Sequence, residues 1–327
     1  MNPFTDFQIQ FFERIKLKPR IIESLDDISD VMVSCSKVFS FENLDIICNT
    51  QEPLTKKVLI KQVITNKQGG LCYKANTLLY YFLLEFGFYI HQTRATCENQ
   101  ESHTRWNISH GHMINILNFE NKFYVIDVAF GCNLSLRPVP VTDNGNEIIQ
   151  SCVGLYRTLK KENIVAEKYH YTHILEHRKP DTYLNESAKI WVIGYAFDPL
   201  LICKNDHDNC DENTETITHQ TQIQQLVIDD PNKDFCVKPL ATKLINNNNN
   251  NNNNGGGDGD SSDESIATLT LNSFTLTNCK TGEKMKTNFD NNKLFEQFNQ
   301  HLISIFNLPP LKTVPLVFLI QPIIQPK

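Results

Sequence analysis

No stretch of about 18 consecutive apolar residues occurs in the 327-residue chain, so the sequence predicts no membrane-spanning helix. Its start, Met1-Asn2-Pro3-Phe4-Thr5-Asp6, lacks the basic head and apolar core of a secretory signal. Basic charge is not in excess. The net charge is −6 and the pI near 5.9, which excludes a general nucleic-acid binder, because a phosphate-binding face shows as surplus Lys and Arg. Ten cysteines are present, yet none forms a CxxC pair, so neither a zinc knuckle nor a dithiol redox site is expected. No internal repeat is visible. These absences leave a cytoplasmic chain with free thiols, with no metal, membrane or nucleic-acid partner.

What is present suffices for a real core: 40% of residues are hydrophobic and 21% charged. The length favours two or three packed subdomains. Helical spacing of apolar residues predicts helices over 4–18 and 24–38, the second capped by Ser24, and a third over 54–65. Residues 72–86 are apolar nearly all round, which predicts a buried helix, stopped by Gly87. Strands are then expected over 88–96, 111–119 and 122–130, with a hairpin turn at 118–121 and a further strand over 191–197. Beyond Asp198 the chain turns polar and helical. An unbroken Asn run and a Gly/Asp/Ser-rich stretch predict a disordered insertion at about 244–265. Past it come a strand over 268–277, a turn at 280–283, a helix over 292–306 and an apolar tail that packs on the body. The expected fold class is α+β: a helical bundle (1–87), an antiparallel β-barrel (88–197) and an α/β lid (198–327).

Chemistry points first to Asn66-Lys67-Gln68-Gly69-Gly70-Leu71-Cys72-Tyr73-Lys74-Ala75-Asn76. Paired glycines make a tight turn and a close backbone approach. A cysteine just after them, at a helix start, meets free N–H groups and the positive end of the helix dipole, which favour thiolate. Cys72 is therefore the candidate nucleophile. It needs a base and a group to orient that base. Of His91, His103, His110 and His112, the last opens an apolar strand, a rigid mount. Asp127 is the odd carboxylate in Val125-Ile126-Asp127-Val128, costly unless paired. If the two strands form a hairpin, Asp127 holds His112 by its Nδ1–H and Nε2 faces Cys72. Taken singly, each residue also has an ordinary structural reading, as a buried thiol, a strand-end histidine or a satisfied carboxylate.

Together, Gly69-Gly70-Leu71-Cys72, Gly111-His112-Met113-Ile114-Asn115-Ile116 and Val125-Ile126-Asp127-Val128-Ala129-Phe130-Gly131 resemble the arylamine N-acetyltransferases. Val38-Phe39-Ser40-Phe41-Glu42-Asn43-Leu44-Asp45 and Phe12-Glu13-Arg14-Ile15 resemble further motifs of that family. The resemblance implies a cysteine-protease-like triad of Cys72, His112 and Asp127, with acetyl-CoA as acyl donor and small aromatic amines, hydrazines or N-hydroxyarylamines as acceptors. It implies a monomer with no metal or prosthetic group. Phe130 would line the acceptor pocket, and Ser109 and Gly111 would lie near the coenzyme. Two departures stand out. Gln68 replaces the family's arginine, which could pair with a carboxylate such as Glu42, and Ala129 replaces a glycine. Two other readings remain: a cysteine hydrolase or transglutaminase-like enzyme, and an inactive relative acting as an interaction protein.

Overall fold

The computed structural model describes residues 3–99, 106–203, 219–229, 234–246, 264–312, 314–315 and 318. His103, Cys210, Ile217, the Asn/Gly-rich run at 247–263 and most of the tail beyond 315 lie outside the described residues.

Helix α1 (Asp6–Ile15) and helix α2 (Leu25–Val38) each begin with a capping box, Thr5 with Gln8 and Ser24 with Asp27. Each box satisfies N–H groups that a helix start leaves free. Strand β1 (Phe41–Glu42) and the short α3 (Leu44–Ile47) follow. Helix α4 (Lys56–Leu59) continues as a π turn over Ile60–Thr65, close to the expected 54–65. Helix α5 (Cys72–Glu85) is buried almost throughout, as its all-round apolar sequence requires. It stops where Gly87 takes φ 82°, a left-handed conformation that glycine adopts without steric cost. The aromatic rings of Phe11 and Phe12 on α1 pack on Phe82 of α5, Phe11 stacked at 4.1 Å between centroids.

The barrel strands are β2 (Tyr89–Cys97), β3 (His112–Phe119), β4 (Lys122–Ile126), β5 (Val139–Pro140), β6 (Ile149–Gln150), β7 (Leu155–Ala166), β8 (Tyr169–Arg178) and β9 (Val192–Phe197). Their order is β5-β4-β3-β2-β9-β8-β7-β6, all antiparallel. Thr158 of β7 donates to the Pro140 carbonyl at 2.8 Å, and Asn144 bridges Leu159, so the sheet nearly closes on itself. The β3–β4 turn has φ 50° at Glu120 and 61° at Asn121, the two-residue hairpin expected at 118–121. Strand β3 is buried on both faces. Met113 and Leu117 belong to the helical core, while Ile114 and Ile116 belong to the barrel core. Side chains alternate along a strand, so His112 shares the barrel side with Ile114 and Ile116.

Helix α6 (His219–Ile228) places Ile223 and Val227 in the helical core, and α7 (Asp234–Val237) follows. A second sheet has the order β1-β10-β11-β12-β13, with β10 (Leu240–Asn246), β11 (Glu264–Thr270), β12 (Ser273–Asn278) and β13 (Lys284–Asn288). Helix α8 (Leu294–His301), extended by a π turn over Leu302–Phe306, packs Phe298, Leu302 and Phe306 on it.

Three expectations change here. The strand predicted over 268–277 is a hairpin turning at Leu271-Asn272, a turn that no Gly or Pro marks. Residues 244–246 and 264–265, expected inside a disordered insertion at 244–265, are instead paired strand residues of β10 and β11. Strand β4 ends at Ile126, so Asp127 sits one residue beyond the strand in which it was expected. Among the described residues, no helix is long and apolar enough to cross a membrane.

Candidate active site

Cys72 is the first residue of α5 and is 6% exposed. The turn ahead of it needs both glycines. A Cβ on Gly69 would lie 2.2 Å from the Ser40 carbonyl oxygen, and one on Gly70 would lie 2.5 Å from Lys74 Cδ. Arg14 of α1 steadies the approach to this turn, donating to the carbonyls of Val63 at 2.8 Å and Lys67 at 3.3 Å. No side chain caps α5, which leaves its first N–H groups to the space beside the thiol.

The hairpin β3–β4 brings His112 and Asp127 together, as the sequence predicted. Nε2 of His112 lies 2.8 Å from Oδ2 of Asp127, with both side chains 5% exposed. The nitrogen is the opposite of the one expected, since Nε2 and not Nδ1 meets the carboxylate. Asp127 stands at the end of the neighbouring strand, and Nε2, farther from the histidine backbone, spans that gap. The Gly111 carbonyl oxygen lies 3.8 Å from Cys72 Sγ, so the residue before His112 touches the thiol.

Burial opposes a charge on His112. The Cys97 and Cys72 sulfurs and the Asp127 carboxylate outweigh it and hold the imidazole well above its ordinary value. Burial pushes the Cys97 thiol up to about 11, against the opposing pull of His112. Burial would raise Asp127, but His112, the Asn76 amide and the Ala129 N–H keep it below the usual carboxylate range.

Asn76 is a residue whose role the sequence did not disclose. One helical turn beyond Cys72, it donates to Asp127 Oδ1 at 2.8 Å and to the Met113 carbonyl at 2.7 Å. Its Oδ1 accepts the Val128 N–H at 2.9 Å. The i, i+4 spacing from Cys72 was the available signal. Tyr195 of β9 was also missed. Its ring is centred 5.1 Å from His112, and burial together with the nearby Asp127 carboxylate holds its hydroxyl well above its ordinary value. It arrives from a strand remote in sequence, and nothing local marks it.

Phe130 is half-buried, with its ring 5.6 Å from His112 and 5.1 Å from Tyr195. It therefore borders the His112–Asp127 pair. Ser109 is buried with its hydroxyl unpaired, two residues from the Gly111 carbonyl that touches Cys72. His110, between them, stacks on Tyr169 at 3.5 Å, and burial together with Arg94 and Lys168 lowers it to about 4. His91 instead bonds the Pro199 carbonyl at 2.9 Å, away from Cys72. Among the described residues, no three His, Cys, Asp or Glu side chains are grouped to hold a metal ion.

The family model described as N-acetyltransferase matches residues 24–279. The protein described as probable arylamine N-acetyltransferase 1 of Dictyostelium discoideum is 81% identical over 98% of this chain and 97% of its own. Another from that organism, described as probable arylamine N-acetyltransferase 3, is 67% identical over 97% and 98%. Among solved structures, an arylamine N-acetyltransferase from Bacillus cereus, described as having a Cys-His-Glu triad, superposes with TM-score 0.71 and 30% identity. It covers 94% of this chain and 100% of that one. The fold and these relatives define an N-acetyltransferase. Within that class the chain belongs to the arylamine N-acetyltransferase family, whose members are acyltransferases.

Proposed function

We propose that this chain moves an acetyl group from acetyl-CoA to an arylamine, arylhydrazine or N-hydroxyarylamine, through an acetyl-cysteine formed on Cys72. The observation that carries the reading is Cys72 at the open start of α5, beside a buried His112 that is hydrogen-bonded to Asp127 at 2.8 Å. Asp127 orients the imidazole and stabilises its charged form. Nε2 is committed to the carboxylate, so Nδ1 is the nitrogen left to exchange a proton with the thiol. His112 takes the Cys72 proton, and the thiolate attacks the thioester carbonyl. The uncapped N–H groups of α5 stabilise the oxyanion. The coenzyme thiol leaves with the proton from His112. One thioester replaces another, so the step is close to energetically neutral.

The acceptor amine then attacks the acetyl carbonyl. His112 removes the amine proton and returns it to the departing Cys72 sulfur. Phe130, against His112 and Tyr195, offers an aromatic wall to the acceptor ring, and Ser109 and Gly111 border the donor side. The Bacillus cereus relative supports the carboxylate role, since the triad described for it also includes a carboxylate. The protein is read as a cytoplasmic monomer acting on small aromatic compounds.

Initial rates measured over a grid of acetyl-CoA and aromatic amine concentrations test this reading. Parallel double-reciprocal lines and no turnover by Cys72→Ala are expected. Intersecting lines, turnover that survives Cys72→Ala, or amide hydrolysis that needs no acetyl-CoA would overturn it.

A further inference from the structure

Lys74 is a lysine in an unfavourable place. It is the third residue of α5, where the helix dipole disfavours a cation, and it is 2% exposed. A buried ammonium persists only when paired. Its Nζ lies 2.8 Å from Asp45 Oδ2, with side-chain exposures of 3% and 10%. Near Asp45 is a second carboxylate, Glu42, which is buried, 4% exposed. Glu42 Oε2 accepts the Leu44 N–H at 2.6 Å.

The lysine stem therefore does more than fill space. It folds back over the turn that presents Cys72, and its Cδ occupies the place a Gly70 side chain would take. The same turn is stitched to the chain after α2, Gly70 N–H to the Ser40 carbonyl at 3.1 Å and Glu42 N–H to the Gly70 carbonyl at 3.3 Å. Glu42, Asp45, Gln68 and Lys74 line one cavity of about 580 Å³, and Cys72 is not part of its wall. Lys61 and Lys312 also line it but are exposed, and Gln68 carries no charge. Lys74 is thus the buried cation among these groups.

We propose that Lys74 is a positioning residue for Cys72: its ammonium, paired with Asp45 and set near the buried Glu42, locks the Gly69–Gly70 turn from which the thiol is presented. The inference rests on Cys72 being the nucleophile. Without the cation, Asp45 is left an unpaired anion beside Glu42, and the turn between them and Cys72 relaxes. Misplacing a reacting group by about 1 Å can cost on the order of a hundredfold in rate.

The test measures acetyl-Cys72 formation from acetyl-CoA by rapid quench, with acceptor KM and thermal midpoint, in the full chain. Lys74→Met is expected to acetylate about ten- to a hundredfold more slowly, with acceptor KM within about twofold. Lys74→Arg, which keeps the charge, recovers most of the rate. Adding Asp45→Asn to Lys74→Met removes the orphaned anion and restores at least about fivefold, as does adding Gln68→Arg, which returns a cation to the same cavity. A stem that merely packs would not respond to those partner changes. A wild-type rate in Lys74→Met overturns the proposal. So does a slow rate that neither Asp45→Asn nor Gln68→Arg improves in a folded protein. If Lys74→Met does not fold, Lys74→Arg and the two double variants decide on the same criteria. Failure of the nucleophile reading is separate, because it appears in the wild type as no acetyl group on Cys72.

Discussion

Two buried carboxylates flank the same four residues, Gly69 to Cys72, and they end in opposite states. Asp127, on the barrel side, is held below the usual range, while Glu42, beneath the turn, is pushed by burial and by Asp45 up to about 7. Burial is comparable, 5% and 4% exposed. The difference lies in the partners. Asp127 faces a chargeable imidazole, an amide and an N–H group. Glu42 accepts the Leu44 N–H and shares the nearby cation, Lys74, with another carboxylate. Dehydration raises any carboxylate, and only a sufficient set of donors and cations brings it down again. On the proposed reading, one cluster keeps charge for chemistry and the other keeps a turn in place.

The largest expected effect comes from removing the group both clusters serve. Cys72→Ala should lower kcat/KM for arylamine acetylation by at least about 10³-fold, measured with acetyl-CoA at saturation. Asp127→Asn leaves a neutral partner for the imidazole and should cost roughly 10²- to 10⁴-fold in kcat, with acceptor KM little changed. An equal fall in Asp127→Asn and Glu42→Gln would erase the contrast between the two clusters.

Asn76→Ala strands the Met113 carbonyl and the Val128 N–H in a buried site. It should destabilise the chain by about 1–3 kcal/mol in denaturant titration and slow turnover by about tenfold. Glu42→Gln gives the smallest effect on rate but a distinct one on pH dependence. The folded value of Glu42 lies near 7, above the ordinary value of 4.5, so between these the folded chain binds more protons than the unfolded one. Its contribution is thus present below about 4.5 and lost as pH rises through 7, by up to roughly 3 kcal/mol. The urea midpoint of Glu42→Gln should fall less between pH 5 and about 7.5 than that of the wild type. An unchanged slope would show that Glu42 ionises freely in the fold.

The sequence carried most of one cluster and little of the other. Paired glycines, an apolar run and Gly87 marked α5 with Cys72 at its head, because all of these signals are local. Asn118 to Asn121 marked the hairpin that aligns His112 with Asp127, and the alternation of side chains did the rest. The imidazole's orientation was not legible, since it depends on Asp127 lying one residue past β4 and across a strand gap. Tyr195 reaches the site from β9, and β1 pairs with β10, two contacts made between segments far apart in the chain. The role of Lys74 was hidden for another reason. A lysine in a helix reads as solvated, and only the folded turn shows its stem lying across Gly70 toward Asp45. Gln68 drew notice as a missing charge, while the buried cation stands six residues later.

The central claim is that Cys72 carries the acyl group between donor and acceptor. Peptide mass spectrometry of the wild-type chain, quenched after acetyl-CoA is added without an acceptor, tests it directly. The account predicts one acetyl group, on Cys72, that disappears when an aromatic amine is added. No acetyl group on Cys72, or one that stays there when the amine is turned over, would contradict it.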